Sequence, residues 1–215
     1  MKWRRLALAF LIFLLCFTQA ECSAPYMIHI DVDAKRLTVF RGDDLVKAYT
    51  VATGAWDTPT PLGVFRINSR FHGEMSGFGT CFLGLNVPWG QYGIHGTNKP
   101  SSIGQNASHG CIRMINTDAE ELYEMIPNGT RVVIQSGSYG EIGDTLRQLQ
   151  SGDRSSMVRA VQSKLRALGY YHGWPDGIYG AATSQAVSDA REALGLPPGD
   201  VDWAFYQAIG LTLFE

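Results

Sequence analysis

The sequence predicts a mainly β domain, built of antiparallel sheets with short helices, followed by a small all-α domain of three helices. Three observations carry this. Between residues 26 and 67, apolar and polar residues alternate at period two between tight turns. Glycine is frequent, 24 of 215 residues, which suits a β-rich chain with many turns. From residue 145 onward, apolar residues recur at three and four residues instead. The length allows one large or two small domains, and 45% hydrophobic residues imply a packed core.

Residues 1–20 stand apart. Lys2, Arg4 and Arg5 precede an almost purely apolar run from Leu6 to Phe17, and Thr18-Gln19-Ala20 closes it with small residues. This is the layout of a secretory signal peptide, with an apolar core short for a membrane span. The other reading is an uncleaved N-terminal anchor. Both predict an exported, extracytoplasmic chain. Its removal takes away three basic residues and no acidic one, which moves the formal net charge from −2 to −5. That balance argues against a nucleic-acid partner, which favours a basic patch. Of four cysteines, Cys16 lies in the apolar run, so the mature chain keeps Cys22, Cys81 and Cys111. An odd count in an oxidising compartment leaves one thiol unpaired, and Cys111 is the best candidate. A Cys22–Cys81 disulfide is the pairing then open.

The elements follow in order. Tyr26, Ile28, Ile30 and Val32 make a strand, and Asp33-Ala34-Lys35-Arg36 a turn. Leu37–Phe40 and Leu45–Thr53 continue an antiparallel meander around Gly42-Asp43-Asp44. Thr58-Pro59-Thr60-Pro61-Leu62-Gly63 is rigid and non-helical, and Val64–Ile67 is the next strand. Residues 68–93 mix glycines with Phe71, Phe78, Phe82, Trp89 and Tyr92, which reads as a loop lining a cleft, in part aromatic core. His72 in this segment is a surface residue. Thr117-Asp118-Ala119-Glu120 has the form of a capping box opening a helix to Met125, which Pro127-Asn128-Gly129 ends. Thr130–Ile134 is a closing strand. The first domain therefore spans 26–135, a linker 136–144 and the helical domain 145–213. In the latter, Met157/Val158, Val161, Leu165 and Leu168 form one stripe, stopped by Gly169. Ala182, Ala186, Val187, Ala190 and Leu194 form a second, and Trp203, Tyr206 and Ile209 mark a third helix.

The chemistry is concentrated in Ser108-His109-Gly110-Cys111-Ile112-Arg113, with His95 16 residues before Cys111. A cysteine beside an imidazole is a nucleophile with a proton shuttle, provided something favours the thiolate. His95 comes from another segment and can meet the sulfur from the far side. His109 shares a face with Cys111 if this stretch is an extended strand. Gly110 lets a substrate approach the backbone, and the N–H groups of Gly110 and Cys111 can stabilise an oxyanion. Arg113 binds either a substrate carboxylate or a structural acid. A zinc site of His95, His109 and Cys111, with His72, is the competing reading. It lacks the paired short spacings of structural zinc sites.

These motifs, His95-Gly96-Thr97 and Ser108–Arg113 with Thr58–Phe65 before them, resemble the L,D-transpeptidase catalytic domain of the YkuD type. The resemblance covers residues 26–135. It implies a mostly β domain that transfers an acyl group between peptidoglycan stem peptides. Cys111 then matches the nucleophile and His95 the base. Ser108, His109, Gly110 and Arg113 match the supporting active-site motif, with Arg113 where some members carry asparagine. Tyr92, Gly96 and Thr97 are expected against the substrate. No cofactor or metal is implied, and carbapenem-type inhibitors are expected to acylate Cys111. Water as acceptor would make an L,D-carboxypeptidase. A non-catalytic wall-binding module and a sortase-like thiol transferase are the other classes; the intact His95/Cys111 pair opposes the first and the motif spacing the second. Leu168-Gly169-Tyr170 and Asp176-Gly177-Ile178-Tyr179-Gly180 resemble a peptidoglycan-binding helical domain. Asp189-Ala190-Arg191 departs from it, standing where an aromatic-Gln pair is frequent.

Overall fold

A computed structural model describes residues 25–137 and 146–211. The signal segment, Cys22 and most of the linker lie outside the described residues. Among those described, no helix is long and apolar enough to cross a membrane.

The strands are β1 (Tyr26–Asp31), β2 (Arg36–Arg41), β3 (Asp44–Thr50), β4 (Thr53–Gly54), β5 (Gly63–Met75), β6 (Gly79–Leu85), β7 (Tyr92–His95), β8 (Asn106–Ser108), β9 (Ile112–Arg113) and β10 (Arg131–Gln135). The helices are α1 (Asn116–Met125), α2 (Ser156–Ala167), α3 (Ala181–Ala193) and α4 (Trp203–Ala208). The mainly β domain followed by three helices is as the patterning predicts.

One sheet runs β3-β2-β1-β10-β5-β6-β7-β9, and β4 pairs with β8 apart from it. β1, β2 and β3 form the expected antiparallel meander. Two pairings in the large sheet are parallel instead, β1 with β10 and β7 with β9. The predicted strand Leu45–Thr53 stops at Thr50, and Thr53–Gly54 leave to pair with β8. β5 is shared: Gly63–Arg66 pair with β10, and the rest continues against β6.

Residues 68–93 are therefore mostly a β5–β6 hairpin and not a loop. Gly73, Gly77 and Gly79, all at positive φ, take up its irregularities and tip, where side chains other than glycine are strained. His72 is exposed on this hairpin, its ring 5.4 Å from that of Tyr123.

The core follows the alternation. Ile28 and Ile30 of β1 and Leu37 and Val39 of β2 are fully buried, with Phe65, Leu83, Ile94, Ile112, Val132 and Leu122 of α1 around them. Each such side chain stabilises by about 1.5–3 kcal/mol relative to exposure. The capping box at Thr117 does not form. α1 opens two residues earlier than that cap would place it, at Asn116, so Thr117 is already inside the helix, and the cap residue Ile115 offers no side-chain acceptor. Asp118 in the first turn offsets the partial positive charge there.

In the helical domain, Ser155 caps α2 by accepting the Val158 N–H at 3.2 Å, and Asp202 caps α4 by accepting the Phe205 N–H at 2.8 Å. Gly169 ends α2 at φ +87°. The α3 stripe is rotated from the apolar residues read in sequence. Thr183 and Arg191 are buried, whereas Ala182 and Leu194 face outward. The cause is Arg191, which donates to the Pro197 carbonyl at 2.6 Å, to the Asp200 carbonyl and to Asp202. Gln162 is wholly buried. Its amide bridges Asp176, the Ile178 carbonyl and Thr183, and its carbonyl accepts the Gly177 N–H at 2.8 Å, which fixes the Asp176–Gly180 turn.

Candidate active site

The site sits on one edge of the sheet because β7 and β9 pair in parallel. Their register sets Ile94 against Ile112 and His95 against Arg113. Ile94 and Ile112 are buried in the core, so alternation turns His95 and Arg113 to the other face. Cys111, just before β9, is partly buried beside this edge, with a hydrogen bond from the Gly93 backbone and Tyr92 nearby.

Residues 109–111 form a bend and not a strand, with Gly110 at φ +104°. The sequence expectation of His109 and Cys111 on one strand face fails for that reason, and His109 is exposed. A Cβ at Gly110 would lie 2.6 Å from the Tyr92 ring and 3.2 Å from the Pro59 carbonyl. Only glycine allows this approach. Buried Ser108 staples the bend: its hydroxyl donates to the Cys111 carbonyl at 2.5 Å and accepts the Gly110 N–H at 3.1 Å. The Gly110 amide, expected free for an oxyanion, is thus engaged at rest.

His95 is buried, its ring 4.8 Å from Phe78 and 5.9 Å from Phe82. Its Nδ1 lies 2.5 Å from the Gly96 carbonyl. A carbonyl only accepts, so Nδ1 donates to it, and the Phe78 backbone makes a second hydrogen bond with the ring. Burial pushes the imidazole below its ordinary value; hydrogen bonds to the Gly96 and Phe78 backbone oppose this, and the Arg113 charge adds to it. Burial likewise pushes the Cys111 thiol up, while the Gly93 hydrogen bond and the Arg113 charge pull it back. Burial therefore favours the neutral imidazole at His95 and the thiol at Cys111.

Arg113 does not pair with a structural acid: its Nη1 donates to the Ala107 carbonyl at 3.0 Å. Its Nε is buried without a partner. The Gly96 N–H reaches the Cys81 carbonyl at 3.3 Å, and the buried Thr97 hydroxyl accepts the Lys99 N–H at 3.1 Å. Both secure the His95 segment. The zinc donors are not assembled: among the described residues, no three His, Cys, Asp or Glu side chains gather at metal-ligand distances. Cys81 is a free buried thiol, pushed up to about 11 by burial, and its proposed partner Cys22 lies outside the described residues. Phe78, Phe82 and Gly93 fall in the stretch read as lining a cleft, but nothing in the sequence assigned the phenylalanines to His95 or Gly93 to Cys111.

The comparisons with known proteins agree with this layout. The profile of the "L,D-transpeptidase catalytic domain" family, YkuD, matches residues 25–134. That of the "Putative peptidoglycan binding domain" matches residues 154–209. "Putative L,D-transpeptidase YkuD" of Bacillus licheniformis is 46% identical over 110 residues, 51% of this chain and 66% of that protein. "Putative L,D-transpeptidase YqjB" of Bacillus subtilis is 33% identical over 125 residues, 51% of this chain and 70% of that protein. A solved L,D-transpeptidase from Mycobacterium smegmatis aligns with TM-score 0.45 and 23% identity over 52% of this chain and 59% of its own. With its profile spanning half of the sequence, over the segment that carries His95 and Cys111, the chain belongs to the YkuD family of L,D-transpeptidase catalytic domains.

Proposed function

We propose that this protein is a cysteine-dependent L,D-transpeptidase acting on peptidoglycan stem tetrapeptides outside the cytoplasm. The observation that carries the reading is the β7 and β9 edge, which sets His95 against Arg113, with Cys111 hydrogen-bonded to Gly93 of β7 and within reach of the Arg113 charge. In the first half-reaction the Cys111 sulfur bonds to the carbonyl carbon of the third residue as His95 takes the thiol proton. The carbonyl electron pair moves to oxygen, facing the Cys111 amide and the Arg113 charge. Collapse of this intermediate breaks the peptide bond, and His95 returns the proton to the departing terminal D-alanine amine. In the second half, an amine of another stem, or of a wall protein, attacks the thioester and gives up a proton to His95. The C–S bond breaks, His95 returns the proton to the sulfur, and the product is a 3→3 cross-link when the amine belongs to a stem or a stem-linked protein when it belongs to a wall protein. Water in the amine's place gives an L,D-carboxypeptidase, so the ratio of dimer to tripeptide product measures the balance. The buried imidazole supports this order of events, because a base must be neutral before it accepts a proton.

The test is mass spectrometry of the mature protein after exposure to a carbapenem. The parent gains one covalent adduct on Cys111, and Cys111→Ala gains none. A parent that stays unmodified counts against the assignment.

A further inference from the structure

One short segment between the two domains, residues 55–62, is held by the helical domain and also grips the nucleophile bend. On the catalytic side, the Ser108 carbonyl accepts the Ala55 N–H at 2.8 Å and the Thr58 hydroxyl at 3.1 Å. The Pro59 carbonyl abuts Gly110. Gly54 pairs with Ser108, and its N–H donates to Thr60 Oγ1 at 2.8 Å.

On the other side, the same segment is held by the helical domain. The Leu62 N–H donates to Ser156 Oγ at 2.6 Å. The Arg147 guanidinium donates to the Trp56 carbonyl at 3.3 Å and lies 5.2 Å from the Trp56 ring centre. Around these contacts, Arg159 covers Phe65 and Trp89 at 5.2 and 5.7 Å, and Gly177 packs on Trp89 so closely that a Cβ there would collide. Ile178 joins the catalytic core. Pro59 and Pro61 fix two φ angles between the held ends, so the segment cannot easily absorb a loosened contact.

Ser156 is not needed by its own helix. Ser155 supplies the cap of α2, and Ser156 is the first helical residue, buried, with its hydroxyl turned to the other domain. We propose that the helical domain braces the Cys111 bend through residues 55–62, with Ser156 and Arg147 as positioning residues. This rests on the reading of Cys111 as nucleophile. The domain then contributes to the chemistry as well as to any attachment, and the two halves are one working unit.

The test uses the full mature chain as Ser156→Ala, Arg147→Ala and the double variant. Hydrogen–deuterium exchange is followed over residues 104–114, with residues 26–41 as internal reference. Each lost contact speeds exchange at 104–114 about fivefold, and the double variant about 25-fold, with the reference unchanged. Carbapenem acylation of Cys111 slows in the same order. Ser156→Thr keeps the hydroxyl acceptor and the parental exchange. Unchanged exchange in the double variant overturns the brace. Faster exchange in Ser156→Thr overturns the hydrogen-bond account by assigning the effect to the start of α2. An unacylated parent sinks the transpeptidase reading alone, because the exchange data still decide the brace.

Discussion

Replacing Gly110 by alanine tests the central geometry most directly. Gly110 sits at φ +104°, where an L side chain costs about 1–3 kcal/mol. Its new methyl would also stand 2.6 Å from Tyr92 Cε1, 3.1 Å from Cδ1 and 3.2 Å from the Pro59 carbonyl. The first distance forces the Tyr92 ring or the bend to move, at a further cost of about 1–3 kcal/mol. About 3 kcal/mol of this at the site slows acylation by about 100-fold. Folding survives, with melting lowered by about 2–4 °C per kcal/mol for a chain of this size. The comparison is Gly104→Ala, which has φ +85° but open space around its Cβ. It carries strain without collision, away from Cys111. Acylation by a carbapenem, followed by intact mass, is compared for parent and both variants. A Gly110→Ala rate within about threefold of the parent, or an equal loss in Gly104→Ala, refutes the reasoning.

Ser108→Ala leaves the buried Gly110 N–H without its acceptor and frees the Cys111 carbonyl, so acylation falls about tenfold by the same assay. Arg113→Gln removes a charge that lowers both His95 and Cys111, so both limbs of the acylation pH profile move to higher pH; limbs that stay put reduce Arg113 to a structural or binding role. The depressed His95 value also makes a stability statement. Between its folded value and the ordinary 6.5 the unfolded chain binds more protons, so stability rises with pH there and is lost as pH falls below 6.5. Urea unfolding at pH 5 and 7.5 shows a larger loss for the parent than for His95→Gln. Arg191→Leu in the helical domain abandons Asp202 and two carbonyls and costs about 3 kcal/mol, read as a lower melting temperature of that domain.

The chemistry was legible because it rests on residue types at fixed spacing. His95 and Cys111 stand in two motifs 16 residues apart, and the single parallel pairing of β7 with β9 brings those motifs to one edge. Strand positions were readable for the same reason: Ile28, Ile30, Leu37 and Val39 alternate and are buried. What failed depended on partners distant in sequence. Thr117 has the composition of a cap, but tertiary packing of Ala119 and Leu122 sets where α1 begins. Gly73, Gly77 and Gly79 resemble a loop until β6 supplies the strand they bend against. Arg191 breaks the expected motif because its charge is met by the 197–202 turn, which no local pattern announces. The hydroxyl of Ser156 reaches across the domain boundary to Leu62, and nothing near either residue signals it.

The position of β10 between β1 and β5 has a kinetic meaning. Met27 meets Arg131 across roughly 100 residues of intervening chain, and this pairing is at the centre of the sheet and not at its rim. Until the final strand arrives, β1 and β5 each present an open edge, a template for pairing with another molecule. Such long-range closure folds slowly, whereas the three-helix domain behind it is built from local contacts and folds fast. During synthesis, the helical half emerges only after the strand that completes the sheet. The catalytic half is thus the aggregation-prone partner, and a chain cut before residue 131 is exposed to intermolecular strand exchange.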